Sequence, residues 1–242
     1  MSMDGDLKGK VVLVTGGGQG LGAAICAVLG EAGATVLAAD RNERVQDIVA
    51  TLARSGSRCA ALVGDIGDER DVERFVATAR REHGGLDAIV NNAGVDVTTD
   101  IGSLEVGQWD AVLRTNLRGP FLLAKAALPA LRERGGDIVN IASTAAKRGW
   151  PNASAYHASK WGLLGLSYAL HAELRAAGVR VTAVIAGGMR TPFLLERFPD
   201  LDPAKLQDPA NVARAVRFAL TQPRESVIAE ITVLPVQETS WP

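Results

Sequence analysis

Short apolar runs alternate along the chain with longer stretches of helical spacing. Residues 11–15, 35–40, 59–65, 86–92, 137–143, 179–186 and 227–234 read as seven strands. Each run is almost continuously apolar, as a strand covered by helices on both faces must be; a strand with one wet face would alternate with polar residues. Residues 22–32, 43–54, 69–82, 104–132, 155–176 and 210–221 repeat apolar positions at the helical period. The alternation predicts βαβ units, and so an α/β protein with a doubly wound, seven-stranded parallel sheet in three αβα layers. Asp68, Ser103 with Glu105 and Gln108, and Pro209 supply start signals for the third, fourth and sixth helices. Residues 187–208 alone lack clear periodicity. They hold Pro192, Pro199 and Pro203 and the apolar cluster Phe193, Leu194, Leu195 and Phe198. Irregular segments of this length are commonly active-site covers, the other reading being a packed excursion with no part in ligand binding.

Composition narrows the classes. The 242 residues are 47% apolar and 22% charged, which suits one domain spanning residues 1–242 with a single large core. Lys plus Arg number 26 against 27 for Asp plus Glu, a net charge of -1, so the basic excess of nucleic-acid or membrane-surface binders is missing. No apolar run is long enough for a membrane span and the first ten residues carry no apolar signal region, so a cytoplasmic protein is expected. Cys26 and Cys59 lie inside apolar segments and are expected in the core. His83, His157 and His171 show no metal-ligand spacing; they read as helix-surface residues, and no metal is expected.

The first strand runs into Thr15-Gly16-Gly17-Gly18-Gln19-Gly20-Leu21-Gly22 and then into a helix. The strict G-x-G-x-x-G spacing fails, but Gly16, Gly20 and Gly22 give G-x-x-x-G-x-G, a turn whose missing side chains let a pyrophosphate reach a helix N-terminus. The second strand ends at Asp40, whose carboxylate can bind both adenosine ribose hydroxyls and repel a 2′-phosphate, which favours NAD. Arg41 follows, and its guanidinium could pair with that phosphate instead, leaving NADP possible. Asn91-Asn92-Ala93-Gly94 closes the fourth strand with amides that can tie strand ends together, or simply forms a strand-to-loop turn. Tyr156 and Lys160 lie four apart at the start of a helix and project from one face. An ammonium near a phenol favours the phenolate and so could tune a proton donor and acceptor, although most pairs at this spacing are ordinary surface neighbours. Ser143 ends the fifth strand, where its hydroxyl would emerge at the carboxyl edge of a parallel sheet. With no G-x-S-x-G elbow in the chain, it does not read as an acyl-transfer nucleophile.

Taken together, these residues resemble the short-chain dehydrogenase/reductase family in its single-domain form, over residues 8–233. Thr15, Gly16, Gly20 and Gly22 are similar to its T-G-x-x-x-G-x-G turn, and residues 91–94 to its N-N-A-G. Residues 156–160 match Y-x-A-S-K, Ser143 stands thirteen residues before the tyrosine, and Asn116 falls at the family asparagine. The resemblance implies a Rossmann-like sheet of order 3-2-1-4-5-6-7 with Tyr156 as acid/base. Lys160 would lower its pKa and hold the nicotinamide ribose, Ser143 would bind the substrate oxygen, and Asn116 would hold a water behind Lys160. It further implies cofactor contacts from Gly16, Gln19, Gly20, Leu21, Gly22, Asp40, Arg41, Asp65, Ile66, Asn92, Ala93, Gly94, Tyr156, Lys160, Gly187 and Thr191, with Ile185 nearby, and assembly as a homodimer or homotetramer. Two departures stand out. Ala186-Gly187 replaces the usual Pro-Gly, and residues 234–242 replace a glycine-rich ending, which puts the usual tetramer contact in doubt.

The expected activity is hydride transfer between a nicotinamide, NAD before NADP, and a secondary alcohol or ketone. An NADP-dependent carbonyl reductase and a non-catalytic nucleotide-binding relative are the alternatives. The pocket is expected to be apolar, lined by Val95, Trp150, Met189, Phe193 and Leu194 under a cover at residues 187–208, with Arg148 or Arg190 as its only charged anchors.

Overall fold

The computed structural model describes residues 7–238; the first six residues and the last part of the C-terminal departure, Thr239 to Pro242, lie outside the described residues. The strands are β1 (Val11–Thr15), β2 (Thr35–Asp40), β3 (Arg58–Val63), β4 (Ala88–Asn91), β5 (Asp137–Ser143), β6 (Arg180–Ala186) and β7 (Glu230–Val233). They form one parallel sheet of order β3-β2-β1-β4-β5-β6-β7. Alternate side chains of β1 explain the three layers. Val12 and Val14 pack with Ile25 and Leu29 of α1 (Gly20–Glu31) and Val212 and Val216 of α8 (Pro209–Leu220). Val11 and Leu13 point the other way, to Phe75 of α3 (Glu69–Glu82) and Leu123 and Leu131 of α5 (Gly119–Arg134). A slip of one residue would swap the two sets, so burial on both faces fixes the register. The remaining helices are α2 (Val45–Arg54), α4 (Val106–Leu113), α6 (Ser154–Leu174) and the single turn α7 (Pro192–Leu195).

Several expected elements change. The stretch 104–132 is not one helix: after α4 the chain passes through a π-helical segment, Arg114–Arg118, before α5 begins. Ser103 is not its cap. Glu105 caps α4 in a reciprocal box with Gln108, whose Oε1 accepts from the Glu105 N–H at 3.1 Å. Asp68 caps α3 as expected, accepting from the Arg70 and Asp71 amides. β7 shrinks to four residues at the sheet edge, where, among the described residues, only β6 pairs with it. Residues 187–208 contain α7 and a 3-10 turn, Pro203–Lys205, and Met189 bridges to Gln207.

His157 is not a free surface residue. Its Nδ1 lies 2.9 Å from the Ala145 carbonyl oxygen and its Nε2 lies 3.1 Å from the Trp150 amide nitrogen. His83 follows α3 and is half-buried, as is His171. Cys26 is buried and its thiol is pushed up to about 12 by that burial, whereas Cys59 is only partly covered. Among the described residues no helix is long and apolar enough to cross a membrane, and no group of three or more His, Cys, Asp or Glu could hold a metal ion.

Candidate active site

The strand order reverses between β1 and β4, and the crevice beyond their carboxyl ends is where open α/β sheets bind ligands. Thr15 and Asn92 fix its floor. Thr15 Oγ1 accepts from the Asn92 and Ala93 amides, each at 3.0 Å, and Asn92 Nδ2 donates to the Thr15 carbonyl at 2.9 Å. The glycine turn then folds back on itself. A Cβ on Gly22 would lie 1.9 Å from the Gly16 carbonyl oxygen, so no other residue fits without opening the turn. A Cβ on Gly20 would be 3.3 Å from Thr191 Cβ, which brings the loop between β6 and α7 against the start of α1. Gln19 is exposed at the N-cap with no side-chain capping bond, while Leu21 is buried.

Asp40 stands beside this turn. Its Oδ2 accepts from the Gly18 amide and its Oδ1 from the Asn42 amide, both at 2.9 Å. A carboxylate has about four acceptor positions, so capacity remains for further donors. Arg41 is exposed next to it. Asp65 is occupied differently: it accepts from the Gly67 amide at 2.7 Å and pairs with Arg114 at 3.0 Å, and Ile66 is buried against Gly119.

Ser143, Tyr156, Lys160 and Asn116 converge at the carboxyl end of β5. Ser143 Oγ accepts from the Ala145 amide at 3.1 Å, and the serine hydroxyl lowers the Tyr156 phenol pKa. Burial outweighs it and pushes the Tyr156 hydroxyl up to about 12. Lys160 is buried, its Nζ donates to the Ile141 carbonyl at 2.9 Å, and it lies 5.6 Å from the centre of the Tyr156 ring. Desolvation brings it down to about 8. Each group is desolvated and each is driven towards its neutral form, so in the protein alone the phenol stays above its ordinary value even with the lysine beside it. Asn116, on the π segment, spends its amide on protein. Its Oδ1 accepts from the Val95 amide and its Nδ2 donates to the Val95 carbonyl, both at 2.8 Å, and Nδ2 also reaches Ser159 Oγ at 3.0 Å. It clamps the loop after β4, and its oxygen keeps one lone pair for a water. Gly94 faces this group, since a Cβ there would be 3.6 Å from Asn116 Oδ1 and 3.7 Å from Lys160 Nζ.

The missing proline does not disturb β6. Ala186 remains in register with Ser143 and Val233, and Gly187 donates to the Val233 carbonyl at 2.9 Å. The departing C-terminal segment packs here, with Glu238 accepting from the Gly188 amide at 3.2 Å. Phe193 comes within 6.0 Å of the Tyr156 ring. The other expected lining residues divide: Leu194 lies near Gly188, Met189 packs against the core, and Trp150 sits edge-on to His157 at 4.3 Å. Arg190 is no anchor, being tied to the Leu206 carbonyl and to Asp208. Arg148 keeps an enclosed Nε without a partner. The sequence reading missed a half-buried pair, Asp96 with Arg197 at 3.4 Å; an acidic residue just beyond Asn91–Gly94 was its only visible signal.

The family model described as short chain dehydrogenase matches residues 10–202. An uncharacterized oxidoreductase of Staphylococcus aureus strain MRSA252 is 34% identical over 232 residues, covering 95% of this chain and 99% of that protein. A metagenomic short-chain oxidoreductase solved in complex with NADP superposes with a TM-score of 0.85 at 33% identity, over 96% of this chain and 99% of that one. A single-residue variant of actinorhodin polyketide ketoreductase with NADPH gives 0.87 at 32% identity, over 94% and 97%. With the sheet order, the glycine turn and the Ser143, Tyr156 and Lys160 cluster in place, the chain belongs to the short-chain dehydrogenase family of oxidoreductases.

Proposed function

We propose that this protein moves a hydride between a nicotinamide dinucleotide and a secondary alcohol or ketone, with Tyr156 handling the proton. The observation that carries the reading is the convergence of Tyr156, Ser143 and a buried lysine beside a turn that excludes side chains. The turn and Asp40 suit a dinucleotide: no Cβ could stand at Gly22, and the Asp40 carboxylate has acceptor positions left for ribose hydroxyls. Bound there, the nicotinamide supplies or takes the hydride. In reduction, Tyr156 Oη gives its proton to the substrate oxygen that Ser143 Oγ holds, and in oxidation it takes that proton back. Lys160 offers its ammonium towards the ribose side and supports the phenolate, while Asn116 keeps Val95 and Ser159 in position. Residues 187–208 serve as the cover, with Phe193 as the side chain nearest Tyr156.

NAD is the favoured cofactor because Asp40 meets the turn with an anion, which a 2′-phosphate would face at close range. The two solved relatives carry NADP or NADPH, and Arg41 is the residue that would support that choice here. Titration with NADH and NADPH, followed by nicotinamide fluorescence, separates the two. Asp40→Ala is expected to weaken NADH about tenfold, the loss of hydrogen bonds to a charged acceptor, and to tighten NADPH. Unchanged NADH binding rejects the role of Asp40. Turnover of a ketone panel with the preferred cofactor tests the activity itself. A cytoplasmic homodimer or homotetramer completes the reading; exposed Phe121 and Trp161, at 47% and 52%, are the apolar groups a second copy would cover.

A further inference from the structure

Among the apolar groups beside Tyr156 stands one enclosed ion pair. Asp96 directly follows Val95, whose backbone is gripped from both sides by Asn116, so the start of its loop is held firmly. The Asp96 side chain is 7% exposed. One oxygen, Oδ2, meets Arg197 at 3.4 Å, and Arg197 also donates to the Asp96 carbonyl at 3.2 Å. The same guanidinium lies 4.5 Å from the centre of the Phe193 ring and donates to the Phe193 carbonyl at 3.3 Å. Phe193 in turn is the neighbour of Tyr156. The other oxygen, Asp96 Oδ1, is enclosed and has no hydrogen-bond partner among the described residues.

Burial raises the Asp96 carboxyl above its ordinary value, with Arg197, the Val97 amide, His157 and Lys160 pulling the other way. Asp96 in return raises both Tyr156 and Lys160, so its charge is felt at the reacting hydroxyl. A buried acceptor with no donor is costly, more so when charged, and folded proteins leave few such groups. Arg197 and Phe193, which cover this carboxylate, both belong to residues 187–208, so a donor admitted as that cover shifts would reach Oδ1 and relieve the cost.

We propose that Asp96 is a specificity-determining residue, its free oxygen receiving the hydroxyl group of a hydroxylated ketone or of the corresponding diol while Arg197 fixes its aim. The proposal rests on the hydride-transfer reading and deepens it. Charge selects the donor. Arg197 in contact and Lys160 nearby already set two cations around one carboxylate, so an ammonium substrate gains little there and meets repulsion from both. A carboxylate substrate would face Asp96 itself. A neutral hydroxyl donates to Oδ1 without adding charge and can accept from the guanidinium. A site built to bind a hydroxyl rejects analogues that lack it, because its own polar group is then left unpaired.

Matched ketones with and without a hydroxyl one, two or three carbons from the carbonyl, together with their amino analogues, provide the test with the full-length enzyme and saturating nicotinamide. At least one hydroxyketone is expected to exceed its plain partner about tenfold or more in kcat/KM, and Asp96→Leu is expected to bring that ratio close to one. Should Asp96→Leu fail to fold, the ratio in the wild type and its reduction in Asp96→Asn decide the matter. Plain ketones equal to or better than every hydroxyketone overturn the proposal and leave hydride transfer standing. So does preference for an aminoketone. Equal slowing of all substrates in Asp96→Leu and Arg197→Met would reduce the pair to a latch on the cover and overturn its role in specificity. If the wild type binds nicotinamide but reduces no ketone of any kind, the hydride-transfer reading falls, and this one with it.

Discussion

Tyr156→Phe is expected to lower kcat/KM for ketone reduction by about 10²–10⁴-fold, the usual contribution of a positioned acid or base, while nicotinamide affinity changes only slightly. The substitution removes one oxygen and leaves the ring against Phe193 and under Lys160. Wild-type pH behaviour should follow from the same environment. Burial holds the Tyr156 hydroxyl well above its ordinary value, so the protonated form needed for reduction persists through neutral and mildly alkaline pH. Oxidation needs the ionised form and should climb with pH over that range. Steady-state rates in both directions, from about pH 6 to about pH 10, provide the check. A variant within a few-fold of wild type in the reductive direction would remove Tyr156 from the chemistry.

Lys160→Met should move activity and stability in opposite directions. Activity is expected to fall by about 10²-fold or more, because the cation that supports the phenolate is gone. Stability is expected to rise. The drop in the lysine pKa from 10.5 to about 8 on folding corresponds to about 3 kcal/mol against the charged form. Losing the Nζ hydrogen bond to Ile141 gives back about 1 kcal/mol, leaving a gain of about 2 kcal/mol, or roughly 4–8 °C in Tm for a chain of this size. The folded value lies below the unfolded one, so the cost is present in full below about pH 8 and disappears as pH rises past 10.5. Thermal melts of the nicotinamide-free proteins should therefore show the variant ahead at neutral pH and losing that lead, then falling slightly behind, in alkali. A lower Tm for Lys160→Met at neutral pH would contradict the desolvation account.

Much of this fold is written in local patterns. β1, β2, β5 and α3 occupy the residues that their apolar runs and caps mark out, because burial on two faces leaves little freedom at their ends. β7 falls short of its run because an edge strand has one neighbour, and Val227 is left 38% exposed. The site was legible where chemistry demands a fixed spacing, in the glycine turn, in Asn91–Gly94 and in Tyr156 with Lys160. Asp96 and Arg197 were not, since they lie 101 residues apart and no periodicity links a loop after β4 to the end of a cover. The electrostatic balance at Tyr156 was equally hidden. Spacing shows that a cation is near, but burial, which spacing does not report, decides which way the phenol moves.

The π segment between α4 and α5 has a further consequence for how the gene can vary. Each residue of an α-helix turns the chain by about 100°, so deleting one residue from 114–118 would restore regular helix and rotate everything on one side of it by that angle. Asn116 would swing off Val95 and Ser159, and the loop that carries Asp96 would lose its clamp. A substitution on the exposed face of α4 or α5 leaves this phase intact, whereas a change of reading length at this one place does not. The distance from Glu105 to Pro120 is a count the active site keeps.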